Sequence, residues 1–474
     1  MQKEKGSITI FSLLSLLLIT AFLFGLLEGT RLQEMRRFAI LQTENSLVSV
    51  FANYNTCLWK MYHLLGTNQN DMYATLEKAT DGRNGKGTNF LCMAPTEILI
   101  TGETRITDGE GLVFISSVAD YMKDNLVYET VKEVYSQYEA IKDILEKNQM
   151  DLSNITDALI MQESVKKTRT RSQDMWVLLE AAERWMKMGV LQLVIQDTET
   201  LSKQHHDFSN GLCKRNILSG RNSVDYTPSW TDRILLQQYL MTYLSSYTQE
   251  SNNRALIYEL EYLIGRKSSD IENLKISASK ILAIREVANF LYLMSSPEHV
   301  GQAEAMALLL VGAVANPIFV EVVKLGLLTS WAMAESILDV RALLKGKRIP
   351  LLKGEMNWTT ELKNISAISE SFSMAKESAV GLNYKDYLGL LLLFEEEKEL
   401  AMYSMNLQEA TIRQNNTDVC FGLDMLLTEV SVAITYTYEP VFPFLRVIDA
   451  EERWERRIDT NAKYGYYGKA GTKG

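Results

Sequence analysis

From Ile8 to Leu27 the chain runs twenty residues without a charge, and at 1.5 Å per residue a helix of that length reaches about 30 Å, the thickness of a bilayer's hydrocarbon core. Fourteen of the twenty are Leu, Ile or Phe. At roughly -0.3 to -0.6 kcal/mol each on the insertion scale they outweigh the cost of Thr9, Ser12, Ser15, Thr20 and Gly25 by several kcal/mol. Ile8, Phe11, Leu14, Leu18, Phe22 and Leu26 therefore read as a membrane anchor, with the lipid bilayer as partner. Ser12, Ser15 and Gly25 are the positions where a neighbouring membrane helix can approach closely. A cleaved signal peptide is the competing reading, since Lys3 and Lys5 supply a basic flank. The apolar run exceeds the roughly 7 to 15 residues of such peptides and no A-x-A site follows it, which favours an anchor. Lys3 and Lys5 on one flank face Arg31, Arg36 and Arg37 on the other, so the positive-inside count leaves the orientation open.

The remaining length is ample for a core and for more than one packed unit: the chain has 474 residues, 46% of them hydrophobic, and a formal charge of -10. Lys and Arg are interleaved with Asp and Glu, so no basic stripe is available to neutralise phosphates, and a nucleic-acid partner is excluded on charge. Cys57, Cys92, Cys213 and Cys420 lie far apart and form no CxxC pair. They read as buried thiols, with one or two disulfides open if the domain lies outside the cytoplasm and no pairing chosen by spacing.

Beyond Glu28 the apolar positions Leu47, Phe51, Tyr54, Leu58, Met61 and Leu65 recur at steps of four and three, which predicts that the membrane helix continues as a stalk to about Leu65, with Gly66, Thr67 and Asn68 as cap and turn. Asp81 to Asn89 reads as a Gly-rich loop. Ile98, Ile100, Thr104 and Ile106 alternate as a half-buried strand does, and so do Val430, Val432, Ile434, Tyr436 and Tyr438. A lone strand leaves its backbone groups unpaired, so the two are expected to share one small sheet. Between them the pattern is helical. Val127, Val131, Val134, Tyr138, Ile141 and Leu145 form one arm of a hairpin, and Ser172 opens the next helix through Trp176, Leu179, Glu183 and Met186. The basic stretch Lys166 to Arg171 reads as a solvated turn. Ala305 to Leu328 tempts a second span, but Asn316 and Pro317 divide it and Glu321 and Lys324 interrupt it; each piece then has the length of a buried core helix. The expected fold is mainly α with a small β-sheet (α+β). Its parts are a stub and transmembrane anchor at 1–28, a helical stalk and loop at 29–84, a strand plus long helical hairpin at 85–215, a helical core with a C-terminal strand at 216–445, and a flexible tail at 446–474.

Little here carries chemistry. Asp81 to Thr88 departs from a phosphate-binding loop in the spacing of its glycines and in the Gly that follows Lys86. His205, His206 and Asp207 lack further ligands at metal spacing and read as an exposed helix end. His63 and His299 are isolated, so no Ser/His/Asp or Cys/His set is assembled. Glu395, Glu396, Glu397 and Glu399 read as a solvated helix face. Glu286, Asn289, Glu335 and Asp339, polar groups within apolar helices, are the material from which a ligand pocket would be built, although buried polar groups are more often paired internally. No cofactor and no metal are expected, and no enzyme.

Lys5-Gly6-Ser7-Ile8-Thr9-Ile10-Phe11, the anchor end Leu27-Glu28-Gly29-Thr30-Arg31, Tyr258 to Lys267, Trp331 to Ser336 through Asp339 to Gly346-Lys347, and Asn383 to Leu388 together resemble an uncharacterised bacterial family similar to the TadE/TadG-type pseudopilins of tight-adherence (Flp) pilus loci. The resemblance spans most of the chain. It implies a structural, non-enzymatic pilin-like or pilus-assembly protein, with other pilin-like membrane proteins as partners, a cytoplasmic N-terminus and an extracytoplasmic bulk. Processed prepilins carry a Glu five residues after the Gly at the cleavage site. Phe11 stands there in this chain, so cleavage after Gly6 and retention as an uncleaved anchor both stay open. A membrane-tethered ligand-binding or sensor module is the alternative.

Overall fold

The computed structural model describes residues 3–81, 93–123, 128–147, 188–311, 317–369, 372–415, 421–438 and 456–467. The chain forms two compact units, one from Met1–Ser117, Ile217–Tyr226 and Gly422–Gly474, the other from Val118–Asn216 and Thr227–Phe421.

The first unit is organised by helix α1, Lys3–Ala52, which is unbroken for 50 residues, or about 75 Å. Nothing in its sequence stops it, for it contains no Pro, and its polar residues reach back to its own carbonyls. It ends short of the expected Leu65. Asn53 and Asn55 interrupt it, and the Asn55 side chain accepts the Leu58 N–H at 2.9 Å to open a second helix, α2, Thr56–Tyr62. Asn is a favoured cap because its carbonyl oxygen satisfies an N–H the helix cannot. The apolar stripe keeps its phase across this break, so periodicity alone cannot see it. Gly66 is followed by a short strand, β1, Thr67–Asn68, and by helix α3, Gln69–Asp81.

Strands β2, Met93–Arg105, and β3, Leu426–Tyr438, pair antiparallel as expected, with Ile98 opposite Ile434 and Ile100 opposite Val432. A fourth strand, β4, Arg456–Gly465, pairs antiparallel with β3 from Tyr438↔Arg456 to Glu429↔Gly465. This corrects the flexible tail: residues 456–467 are ordered against the sheet. The strand was hidden because only Ile458 and Thr460 of it are buried, so it lacks the run of large apolar residues by which β3 announces itself. One face of the sheet, with Leu427, Val430, Val432, Ile434, Tyr436 and Ile458, packs with Met35, Ala39, Leu47, Val50 and Phe51 of α1 and with Met72 and Leu76 of α3.

Helix α4, Leu112–Lys123, carries the chain across the boundary between the units. The second unit holds α5 (Tyr128–Lys147), α6 (Val190–Val194), α7 (Trp230–Tyr243), α8 (Glu259–Gly265), α9 (Asp270–Ser295), α10 (Pro297–Val311), α11 (Pro317–Leu344), α12 (Tyr384–Leu392) and α13 (Glu397–Asn415). Capping boxes start α7 at Ser229/Asp232 and α12 at Asn383/Asp386. Helix α9 and the second half of α11 form the centre, with Leu274, Ile281, Leu282, Leu328, Trp331, Ile337 and Leu343 all buried. Pro317 opens α11, where a missing N–H costs nothing, and so divides the apolar stretch as expected. The halves are not both buried core helices, however: Leu308 and Leu309 at the end of α10 and Ile318, Val322 and Leu325 at the start of α11 are exposed. The expected loop after Asp81, Val127, the Lys166–Arg171 turn and the helix from Ser172 with Trp176, Leu179, Glu183 and Met186 lie outside the described residues.

Candidate functional site

The anchor residues Ile8, Phe11, Leu14, Leu18, Phe22 and Leu26 lie on one helix, with exposures between 52% for Leu26 and 73% for Phe11. Apolar surface of that extent is unfavourable in water on the order of 25 cal/mol per Å². Among the described residues this helix and α11 are the two long and apolar enough to cross a membrane. The few hydroxyls of α1 suit hydrocarbon: Ser12 Oγ donates to the Ile8 carbonyl at 2.9 Å, Thr20 Oγ1 to Leu17 at 3.0 Å, and Thr30 Oγ1 to Leu27 at 2.9 Å. These three hydroxyl hydrogens are thus satisfied without water. Ser12 and Ser15 lie one turn apart, while Gly25 is about 80° around the helix from Ser15 at 100° per residue. A Cβ added at Gly25 would meet nothing within 4 Å, so among the described residues no close approach requires a glycine there.

The second half of α1 is fastened. Thr43 Oγ1 donates to the Ala39 carbonyl at 2.9 Å and shares hydrogen bonds with Tyr436 Oη at 3.2 Å and Thr460 Oγ1 at 2.7 Å, a polar triangle joining α1 to β3 and β4 inside the apolar face. At its end, Tyr466 Oη donates to the Phe51 carbonyl at 2.6 Å, and the Tyr466 and Tyr464 rings pack on Phe51 at 4.8 and 5.1 Å between centroids. The Tyr467 hydroxyl accepts the Leu65 N–H at 2.7 Å. Residues 456–467, read from sequence as part of a loose tail, are what clamps the helix.

In the second unit the structure brings together three of the four residues from which a pocket was conceived. Asp339 accepts from Arg285 Nε at 3.0 Å and Arg285 Nη2 at 2.9 Å, and from Asn289 Nδ2 at 3.0 Å. Lys353 Nζ stands 2.5 Å from Asp339 Oδ1 and also contacts Glu335 Oε1. Glu335 takes the backbone N–H groups of Thr359 at 3.1 Å and Thr360 at 2.8 Å. Arg285 Nη1 donates to the carbonyls of Pro350 at 2.8 Å and Leu351 at 2.6 Å. Two cations and two carboxylates, all with fully buried side chains, cancel in charge. Burial works against the Arg285 charge, but Tyr387 and Asp339 outweigh it and hold the guanidinium ionised. Glu286, the fourth residue, is half-buried and faces elsewhere, its carboxyl pushed up to about 7 by burial. Arg285, Lys353 and Tyr387 were not singled out from sequence, because only the return of the chain after Gly346 brings Lys353 beneath α11.

A second group of buried carboxylates opens helices. Glu259 accepts the Ser245 N–H at 2.9 Å and lies 3.7 Å from Arg254. Glu261 accepts the Tyr247 N–H at 2.9 Å and the Tyr384 hydroxyl at 3.0 Å. Asp270 takes the N–H groups of Ile257 and Tyr258, both at 3.1 Å. Burial drives Glu259 and Glu261 up to about 7 against the opposing pull of Arg254 and these hydrogen bonds. Every one of these contacts pins a turn of the second unit.

Two further readings are corrected. His205, His206 and Asp207 sit on an extended segment, where the His206 N–H donates to Ser268 O at 2.9 Å and Asp207 caps a turn at Ser209, rather than at a helix end. Of the acidic run only Glu397 and Glu399 lie on α13, and three of the four are ion-paired, with Glu395 meeting Arg266 at 2.7 Å and Lys280 at 3.0 Å, Glu397 meeting Arg233 at 3.2 Å, and Glu399 meeting Arg266 at 2.6 Å, while Glu396 and Glu399 stay exposed as expected. His63 ends α2 in the left-handed region, and His299 is packed among Tyr292, Trp331 and Trp358. Cys57 and Cys213 are half-buried, burial raising the Cys213 thiol to about 11, while Cys92 and Cys420 lie outside the described residues.

Residues 167–438, more than half of the chain, match the profile of a family of unknown function (DUF5702). No curated protein and no solved structure matches.

Proposed function

We propose, for a chain that belongs to this family of unknown function (DUF5702), a structural role as a membrane-anchored, pseudopilin-like subunit or assembly factor of a tight-adherence type pilus. Its N-terminus is cytoplasmic and its two folded units extracytoplasmic. The observation that carries this reading is the form of α1: one continuous helix whose first half exposes large apolar side chains and whose second half packs onto a sheet. A rigid helix of this kind transmits the position of its membrane half to the folded unit that holds it. It also leaves Ser12, Ser15 and Gly25 open to the helices of neighbouring subunits. The polar residues a sensor would use support the structural reading instead, since Asn289, Glu335 and Asp339 are engaged with Arg285, Lys353 and backbone N–H groups. We assign no catalytic residue and no cofactor. The test is affinity purification of the full chain from gently solubilised membranes followed by mass spectrometry. Co-recovery of pilus-assembly components is expected; recovery of the chain alone overturns the proposal.

A further inference from the structure

The tip formed by the end of α10 and the start of α11 carries the largest exposed apolar side chains of the second unit's helical centre. Leu309 is 80% exposed, Ile318 72% and Val322 62%, with Leu308 and Leu325 also exposed. Ala303 and Ala307 on the inner face of α10 are buried, and on α11 burial sets in at Leu327 and Leu328. From Ala305 to Leu328 the only ionisable residues are Glu321 and Lys324, and these neutralise one another at 2.6 Å. A helix end meeting water is normally polar on its outer face.

We propose that this tip enters the interfacial region of a lipid bilayer as a second, shallow membrane contact. Three features favour lipid over a protein partner. Leu308 and Leu309, adjacent in sequence, point about 100° apart, so the apolar surface wraps the tip instead of forming one flat face. Protein interfaces are rimmed by polar groups, and this stretch offers a single ion pair. The depth also fits, because Glu321 lies about 6 Å along the helix from Pro317, which seats it at headgroup level when the tip is buried by about 5–10 Å. The inference rests on the anchoring proposed above: a chain tethered to a bilayer presents an apolar tip to that bilayer at high effective concentration.

The test is photo-crosslinking of the full chain in phosphatidylcholine/phosphatidylglycerol liposomes, with p-benzoylphenylalanine placed singly at Leu309, Ile318, Phe11 or Met356. Met356, 90% exposed in the same unit, controls for exposure alone. Lipid adducts are expected at Leu309, Ile318 and Phe11 and not at Met356, with Val322→Glu cutting the Ile318 adduct at least fivefold while circular dichroism is unchanged. An adduct at Phe11 without one at Leu309 and Ile318 overturns the tip contact and leaves the anchor standing. Crosslinks from the tip to a second copy of the chain overturn it in favour of self-association. Tip adducts without one at Phe11 support the contact and remove the anchor, and adducts at neither site remove both.

Discussion

Lys353 occupies the most consequential position for stability, between Glu335 and Asp339 with no exposed side-chain surface. Removing one member of a buried ion pair strands the charge it balanced, at about 3–5 kcal/mol. Lys353→Met is therefore expected to lower the unfolding free energy by that amount in urea titrations, while Lys345→Met, at an exposed position, changes it by less than about 0.5 kcal/mol. Glu261 gives a pH dependence of defined sign. Its folded pKa of about 7 lies above the ordinary 4.5, so its contribution favours folding below pH 4.5 and is lost as pH rises through 7. Glu261→Gln keeps an oxygen for the Tyr247 N–H and cannot ionise. The variant is expected to match the parent chain at pH 5 and to exceed it at pH 8 by on the order of 2 kcal/mol, read from thermal unfolding at the two pH values. Asn289, Glu335 and Asp339 were legible as unusual because each interrupts an apolar helix. Their partners were not, since Arg285 and Lys353 look like ordinary cations until the chain reverses and places them.

Among the elements, β3 could be read directly because burial of one face imposes a period of two on side-chain chemistry, and β2 only in part, since its register shifts near Pro95, Ile100 and Thr104 break the alternation. The end of α1 and the existence of β4 could not. At Asn53 the apolar spacing continues across a change of direction, and in β4 the inward positions are Ile458 and Thr460, too few large apolar residues to mark a strand. The clamp on α1 can be loosened with one atom. Tyr466→Phe removes the donor to the Phe51 carbonyl and is expected to cost about 1–2 kcal/mol. Hydrogen exchange should locate the loss, with faster exchange at Leu47 to Ala52 and no change in α9 or α11.

For the whole molecule, the matched family region begins at residue 167 and ends at Tyr438, the last residue of β3, so the anchor helix and β4 lie outside it. The uncharged run made a helix long and apolar enough to cross a membrane legible, but no sequence pattern states what such a helix packs against. Gly25 separates the possibilities. A Cβ added at this position meets nothing within 4 Å, so Gly25→Ala is expected to leave the unfolding transition within about 0.5 kcal/mol and, on the proposed role, to reduce recovery of partner subunits from solubilised membranes. Undiminished recovery would locate subunit contacts away from this glycine.

Because β3 and β4 are contributed from residue 426 onward, the lower half of α1 has only α3 to rest on until almost four hundred further residues have been made. During synthesis the first helix to emerge is the last to be fastened. Closure of the sheet over Phe51 is therefore a late step of folding, taken only after the whole second unit has been made.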